Sequence, residues 1–295
     1  MAGLSAALGK AVMELNPVER MFAIIAGFDV LRDAVQKAAA GKGVPLDTVR
    51  LRAPIPRPSK MLFGLGNYCE NVKGVLGPLG LFLKSPSSIL DPGGTVKLSP
   101  HDAIIFHHEA ELGFVIGRRG RDIPEDKAME HVFGYTCIID VSARGLGQGT
   151  GFIDKSPDTF CPIGPWIVTK NEVPDPQKLS VRLWQNEQLR QDYNTDDMEH
   201  PIPELVSWAS RVATLEIGDV FACGTNHQGL GPMQDGETSI IEVERVGRMT
   251  FKVEDPLKRR WPFGIDSGIG KAVRQWKLSG VRPNAEEIFQ TRRIA

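Results

Sequence analysis

The chain has 295 residues, of which 41% are hydrophobic and 24% charged, with a formal net charge of −1. This is the composition of an ordinary globular protein, long enough for one large domain or a domain with a small appendage. The near-neutral charge gives no basis for binding nucleic acid or an anionic membrane, and no apolar run approaches the ~18 residues of a membrane span.

At the N-terminus there is no basic segment followed by an apolar stretch and a small-residue cleavage site, so export is not expected. Cys69, Cys137, Cys161 and Cys223 are far apart and form no C-x-x-C pair. Neither a thiolate metal site nor a disulfide framework is indicated, and Cys137 and Cys161 fit burial as small hydrophobes. The expectation is a reduced, cytoplasmic protein.

Residues up to about Lys42 are predicted helical. Asn16-Pro17-Val18-Glu19 supplies a cap, a proline in the first turn and an acid three positions after the cap. Met21, Ile24, Ile25 and Phe28 then recur at helical spacing, and Leu31, Ala34, Val35 and Ala38 extend the pattern. That face must pack on the body of the protein or on a second subunit. Ala53-Pro54-Ile55-Pro56-Arg57-Pro58 is a stiff connector, and Met61–Leu65 reads as a short buried strand. The stretch to Pro86 alternates Gly74, Gly77 and Gly80 with leucines, the composition of a lid.

Phe106–Gly117 alternates with period two. One face carries Phe106, His108, Ala110, Leu112, Phe114 and Ile116, and the other His107, Glu109, Glu111, Gly113 and Val115. Two carboxylates therefore project from one side. Asp140, closing the apolar run Gly134–Ile139, adds a third if the two runs lie side by side. Three converging carboxylates repel one another unless a cation neutralises them, and a hard divalent ion such as Mg²⁺ suits such oxygen donors. Periodicity alone equally accommodates a half-solvated strand with Glu109 and Glu111 in water.

Short β-like runs punctuated by Gly and Pro continue to Val253, interrupted by one helix predicted over 203–214. Ser239–Val246 alternates as an edge strand or hairpin arm. Beyond Pro256, the Lys258-Arg259-Arg260 and Arg292-Arg293 clusters read as a tail, either solvated or packed on the domain or a partner subunit.

Several stretches, in order, resemble the fumarylacetoacetate hydrolase family. They are Phe106–Asp140 with Val141-Ser142-Ala143-Arg144, then Lys155–Pro165, Arg190–Met198 and Leu215–Thr225. The resemblance runs from about Pro54 to Pro256, which divides the chain into a helical segment 1–53, a catalytic domain 54–256 and a tail 257–295. It implies a mainly β fold with a few helices (α+β), a mixed β-roll or sandwich, and a homodimer. It also implies Mg²⁺ (or Mn²⁺ or Ca²⁺) on Glu109, Glu111 and Asp140, and a 2-oxo or 2,4-dioxo acid substrate that passes through an enolate. Lys155 matches the family's active-site lysine, and Gly224 and Thr225 the loop that holds a substrate carboxylate. Tyr68, Gln191 and Tyr193 fall on stretches that border the pocket, and Arg144 on an internal salt bridge.

The chain departs from the pattern where hydrolysis is driven. Hydrolytic members carry a His and then a Glu after Asn-Tyr, where this sequence has Asn71 and Gly74. An amide accepts no proton near neutral pH, so another base is required. His227 is the preferred substitute and Glu70 the second candidate. Carbon–carbon bond hydrolysis is the expected reaction. The alternatives are a tautomerase, isomerase, decarboxylase or dehydratase needing only enolate chemistry, and a catalytically inactive binding protein.

Overall fold

The computed structural model describes residues 14–72, 77–146, 151–281 and 294. Fourteen strands lie among them: β1 (Met61–Gly64), β2 (Leu81–Lys84), β3 (Ile89–Leu90), β4 (Thr95–Lys97), β5 (Ile105–His107), β6 (Ala110–Ile116), β7 (Val132–Ile139), β8 (Ser142–Arg144), β9 (Cys161–Thr169), β10 (Ser180–Gln185), β11 (Gln188–Asn194), β12 (Val220–Ala222), β13 (Thr238–Val243) and β14 (Gly247–Glu254). The α-helices among the described residues are α1 (Pro17–Ala26), α2 (Phe28–Ala39), α3 (Ile202–Val212) and α4 (Ser267–Ser279). The fold is thus mainly β with a few helices, as expected.

The strands form a seven-stranded sheet in the order β2-β1-β12-β6-β7-β9-β3 and a five-stranded sheet in the order β11-β10-β13-β14-β4. β10 packs across β6, and β13 and β14 across β7. Leu112, Phe114, Leu183, Ile241, Met249 and Phe251 fill the space between the layers. A second apolar cluster covers the other side of the larger sheet, joining Met61, Phe63, Val115, Ile138 and Ile163 to Ile25 and Ile55. All seven residues of β6 are therefore buried, and the half-solvated strand is ruled out.

The alternating run is also not one strand. β5 pairs with β8 in a separate two-stranded ribbon, whereas β6 pairs with β7 and β12. His108 and Glu109 lie at the crossing between them. There the Glu109 carbonyl accepts the Asp140 N–H at 2.8 Å.

The capping residues work as the sequence indicates, with Asn16 Oδ1 accepting the N–H groups of Val18 and Glu19 at 3.0 Å each. α1 packs on the protein's own body through Met21, Phe22 and Ile25. Phe22 sits so close to Gly218 that a Cβ there would stand 2.1 Å from the ring. α2 buries no residue. The proline-spaced connector is no free linker, since Ala53, Pro54 and Ile55 are buried.

Three further expectations are decided, the first as a correction. Residues 81–84 of the supposed lid are strand β2, hydrogen-bonded to β1, while Gly74 and Leu76 lie outside the described residues. β13 is interior to its sheet, between β10 and β14, so it is a hairpin arm and not an edge. Residues 257–281 pack on the domain, one of the placements expected for the tail, and are not solvated: Arg259 is buried on Asp255 and on the carbonyls of Ser99 and His101, and α4 follows. Arg292 and Arg293 lie outside the described residues.

Candidate active site

Antiparallel pairing of β6 with β7 places Glu111 opposite Ile138 and Ala110 opposite Ile139. Glu109 thus enters the sheet beside Asp140, which leaves it. The carboxylates of Glu109, Glu111 and Asp140 are buried, with one oxygen of each within 4.8 Å of the others.

Cations crowd two of the three. Lys155 Nζ donates to Glu109 Oε2 at 2.7 Å, Asp140 Oδ2 at 2.6 Å and Ser142 Oγ at 2.5 Å. Lys84 Nζ pairs with Asp140, and Arg144 with Glu109. Burial alone would raise the Glu109 pKa, but Arg144 and then Lys155 outweigh it and hold this carboxyl well below the usual range. Glu111 forms no ion pair with a lysine or arginine among the described residues, and burial, followed by the charges of Asp140 and Glu109, pushes its pKa well above the usual range. Burial works against the Lys155 ammonium, yet Asp140 and Glu109 raise its pKa overall. Burial and the neighbouring acids thus disfavour the charged form of Glu111, a hard divalent cation would restore it, and the three-carboxylate oxygen donor set fits such an ion.

A second hydrogen-bonded pair of titratable side chains lies near. His227 Nδ1 and its backbone N–H are 2.7 Å and 2.8 Å from Glu70 Oε1. Glu70 is buried, and it and Asn71 both have left-handed backbone, at φ 54° and 60°. Such a turn is costly for residues other than glycine. Asp197 holds it, accepting the Glu70 N–H at 3.1 Å, the Asn71 N–H at 3.3 Å and the Asn226 side chain at 2.8 Å. Asn71 itself is exposed. Glu70 and His227, considered separately in the sequence, are therefore a single hydrogen-bonded dyad.

Glu109, Glu111, Arg144, Lys155, Thr225 and His227 line one cavity of about 130 Å³, together with Leu65, Gly66, Phe82 and four residues of α4. Arg144 makes the internal salt bridge implied for it, but does so in the cavity wall.

Four of the expected substrate contacts are elsewhere or already occupied. The Gly224 N–H donates to Glu111 Oε2 at 2.6 Å, so it supports that carboxylate and is not free for a substrate. Gln191 is buried behind the site: its Oε1 accepts from Ala110 N at 3.1 Å, and its Nε2 donates to Thr225 Oγ1 and the Asn226 carbonyl at 2.8 Å each. Tyr193 donates its hydroxyl to the Ala110 carbonyl, and the buried Tyr68 packs edge-on against its ring at 5.0 Å. These side chains brace Ala110 and Thr225 because β11 belongs to the opposite sheet layer. Thr225 does reach the cavity, its hydroxyl donating to the Ala110 carbonyl at 2.9 Å.

Lys84 escaped the sequence reading. Its signal is a lysine two residues after Phe82 in the apolar run Leu81-Phe82-Leu83-Lys84, on the same side of a strand.

The family model for the fumarylacetoacetate (FAA) hydrolase C-terminal region matches residues 68–254. A maleylpyruvate hydrolase of Aquipseudomonas alcaligenes is 37% identical over 224 residues, covering 70% of this chain and 77% of its own. The oxaloacetate tautomerase YisK of Bacillus subtilis is 35% identical over 223 residues, covering 70% and 74%. Among solved structures, a maleylpyruvate hydrolase from Sphingobium sp. SYK-6, in complex with manganese(II) ion and pyruvate, is 37% identical. It superposes with a TM-score of 0.75 over 82% of this chain and 88% of the other. With the acidic cluster and Lys155 standing where the sequence motifs put them, the chain belongs to the fumarylacetoacetate hydrolase family.

Proposed function

We propose that this protein is a divalent-metal-dependent enzyme that hydrolyses a carbon–carbon bond in a 2,4-dioxo acid. The observation that carries this reading is the Glu70–His227 dyad, 2.7 Å between Oε1 and Nδ1, opening on the cavity that also holds Glu109 and Glu111. It supplies the base that Asn71 cannot.

Glu109, Glu111 and Asp140 would hold Mg²⁺ or Mn²⁺, and the ion would supply a Lewis acid that polarises the keto oxygen of the oxo-acid head. Glu70 fixes the imidazole with Nδ1–H pointing at its carboxylate, which leaves Nε2 as the acceptor. His227 then takes a proton from water as the hydroxide adds to the distal carbonyl. The bond between that carbonyl carbon and its neighbour breaks, and the carbon left with the electron pair takes back the proton. One water is consumed, and a carboxylic acid and a shorter 2-oxo acid are released. Lys155 and Arg144 present positive charge to the substrate carboxylate.

Incubating the protein with acetylpyruvate and Mg²⁺ or Mn²⁺ should release pyruvate and acetate. A second reading, tautomerase, is favoured by the exposed Asn71, because the same dyad can shuttle a proton at C3 without activating water. Absence of cleavage, with metal-dependent exchange of C3 protons in D₂O, would replace the first reading by the second.

A further inference from the structure

We infer that α4 forms a subsite for an apolar tail, so that the substrate is a 2-oxo acid bearing a hydrocarbon or aromatic substituent. This rests on the proposed binding of the oxo-acid head at the carboxylate cluster. Ile269, Ala272, Val273 and Trp276 recur at positions i, i+3, i+4 and i+7 of α4, and all four line the cavity. That is one continuous stripe of the helix. Leu65 and Phe82 complete the apolar part of the lining.

The helix is fixed in place. Its Asp266 cap accepts the Gly268 N–H at 3.1 Å, and Lys277 Nζ donates to the Gly66 carbonyl at 2.8 Å and pairs with Glu199. A Cβ on Gly66 would come within 3.1 Å of the Trp276 ring, and one on Gly270 within 3.4 Å of the His227 carbonyl. The helix therefore packs closely against Gly66 in the cavity wall and, through Gly270, against the loop that carries His227.

Charge distribution sets the class of tail. The lysine and arginine that line the cavity, Lys155 and Arg144, are both bound to Glu109. On α4, Lys271 and Arg274 are exposed and do not line the cavity, and Lys277 is paired with Glu199. Among the described residues, the α4 side of the cavity thus offers apolar surface and no lysine or arginine to receive a second carboxylate. A charged tail there would lose its hydration without compensation, whereas an apolar one gains by leaving water.

Calorimetric titration of the full chain in saturating Mn²⁺ tests this with three probes: pyruvate (the head alone), 2-oxo-4-phenylbutanoate and 2-oxoglutarate. The phenyl acid should bind about tenfold or more tighter than pyruvate, and 2-oxoglutarate no tighter than pyruvate. In Trp276→Ala the ratio of phenyl-acid to pyruvate affinity should fall toward one. Val273→Lys should turn the preference toward 2-oxoglutarate, and it decides the matter if Trp276→Ala does not fold. Pyruvate binding with no gain from the phenyl group, or a wild-type preference for 2-oxoglutarate, overturns the subsite and leaves the head site standing. Failure of pyruvate itself to bind overturns the reading of the head site, and the subsite with it.

Discussion

Among the described residues, Glu111 is the one member of the acidic cluster that forms no ion pair with a lysine or arginine. Its Oε2 accepts the Gly224 N–H at 2.6 Å, while Glu109 and Asp140 share Lys155 and have Arg144 and Lys84 besides. A metal gains most from this carboxylate, so Glu111→Ala should abolish Mg²⁺ binding in calorimetry; binding at wild-type strength would show that the ion sits elsewhere. His227→Gln should slow carbon–carbon cleavage about a hundredfold, the usual worth of a general base, with metal affinity intact. Glu70→Gln should fall in the same direction by weakening the imidazole's orientation, and unchanged cleavage in both variants would remove the dyad from the mechanism. The three acids were legible from the family motif, whereas the alternation that put Glu109 and Glu111 on one face ran across a break between two strands. The dyad was legible only as two separate candidates, since 157 positions separate Glu70 from His227 and no local pattern joins them. Gly224 was misread because a backbone N–H carries no sequence signal of what it will meet.

At the scale of elements, the turn at Glu70 and Asn71 is held against its backbone preference by Asp197. Asp197→Ala would leave two backbone N–H groups and the Asn226 amide without their acceptor. The expected cost is about 1–3 kcal/mol of stability, read from urea midpoints, together with a loss of cleavage as Glu70 swings away from His227. A variant as stable and active as wild type would show that the turn holds itself. The sequence gives this turn no glycine, so nothing in it announced a left-handed pair. β13 shows a different limit: its alternation was readable, but its interior place depends on β10 and β14, which only the folded topology brings together. α4 was missed because Ser267, Gly268 and Gly270 weaken helix propensity at its start. Its cap and the packing of its apolar stripe onto the cavity overcome that, as tertiary contacts commonly do.

Across the whole molecule, two sheet layers and the outer cluster over β6 and β7 leave little of the central strands exposed, and this determines how the thiols titrate. All four cysteines are free, and Cys137, Cys161 and Cys223 are buried. Burial in the inner and outer clusters pushes Cys137 and Cys161 up from 9.0 to about 12. The sequence placed both among apolar residues, but only the packing shows how far each is from water. Between those two values the folded chain keeps protons that the unfolded chain has lost. Their contribution is therefore fully present below about pH 9 and is lost as pH rises through that window. The loss is up to about 1.4 kcal/mol per pH unit for each thiol. Urea midpoints measured from about pH 8 to pH 11 should fall for the wild type and fall less steeply for Cys137→Ala and Cys161→Ala. Cys137→Ala also removes the Sγ contact with the Gly247 carbonyl at 3.3 Å, but that shifts the whole curve and leaves its slope alone. Equal slopes in wild type and both variants would mean that these thiols ionise within the fold as readily as in the open chain.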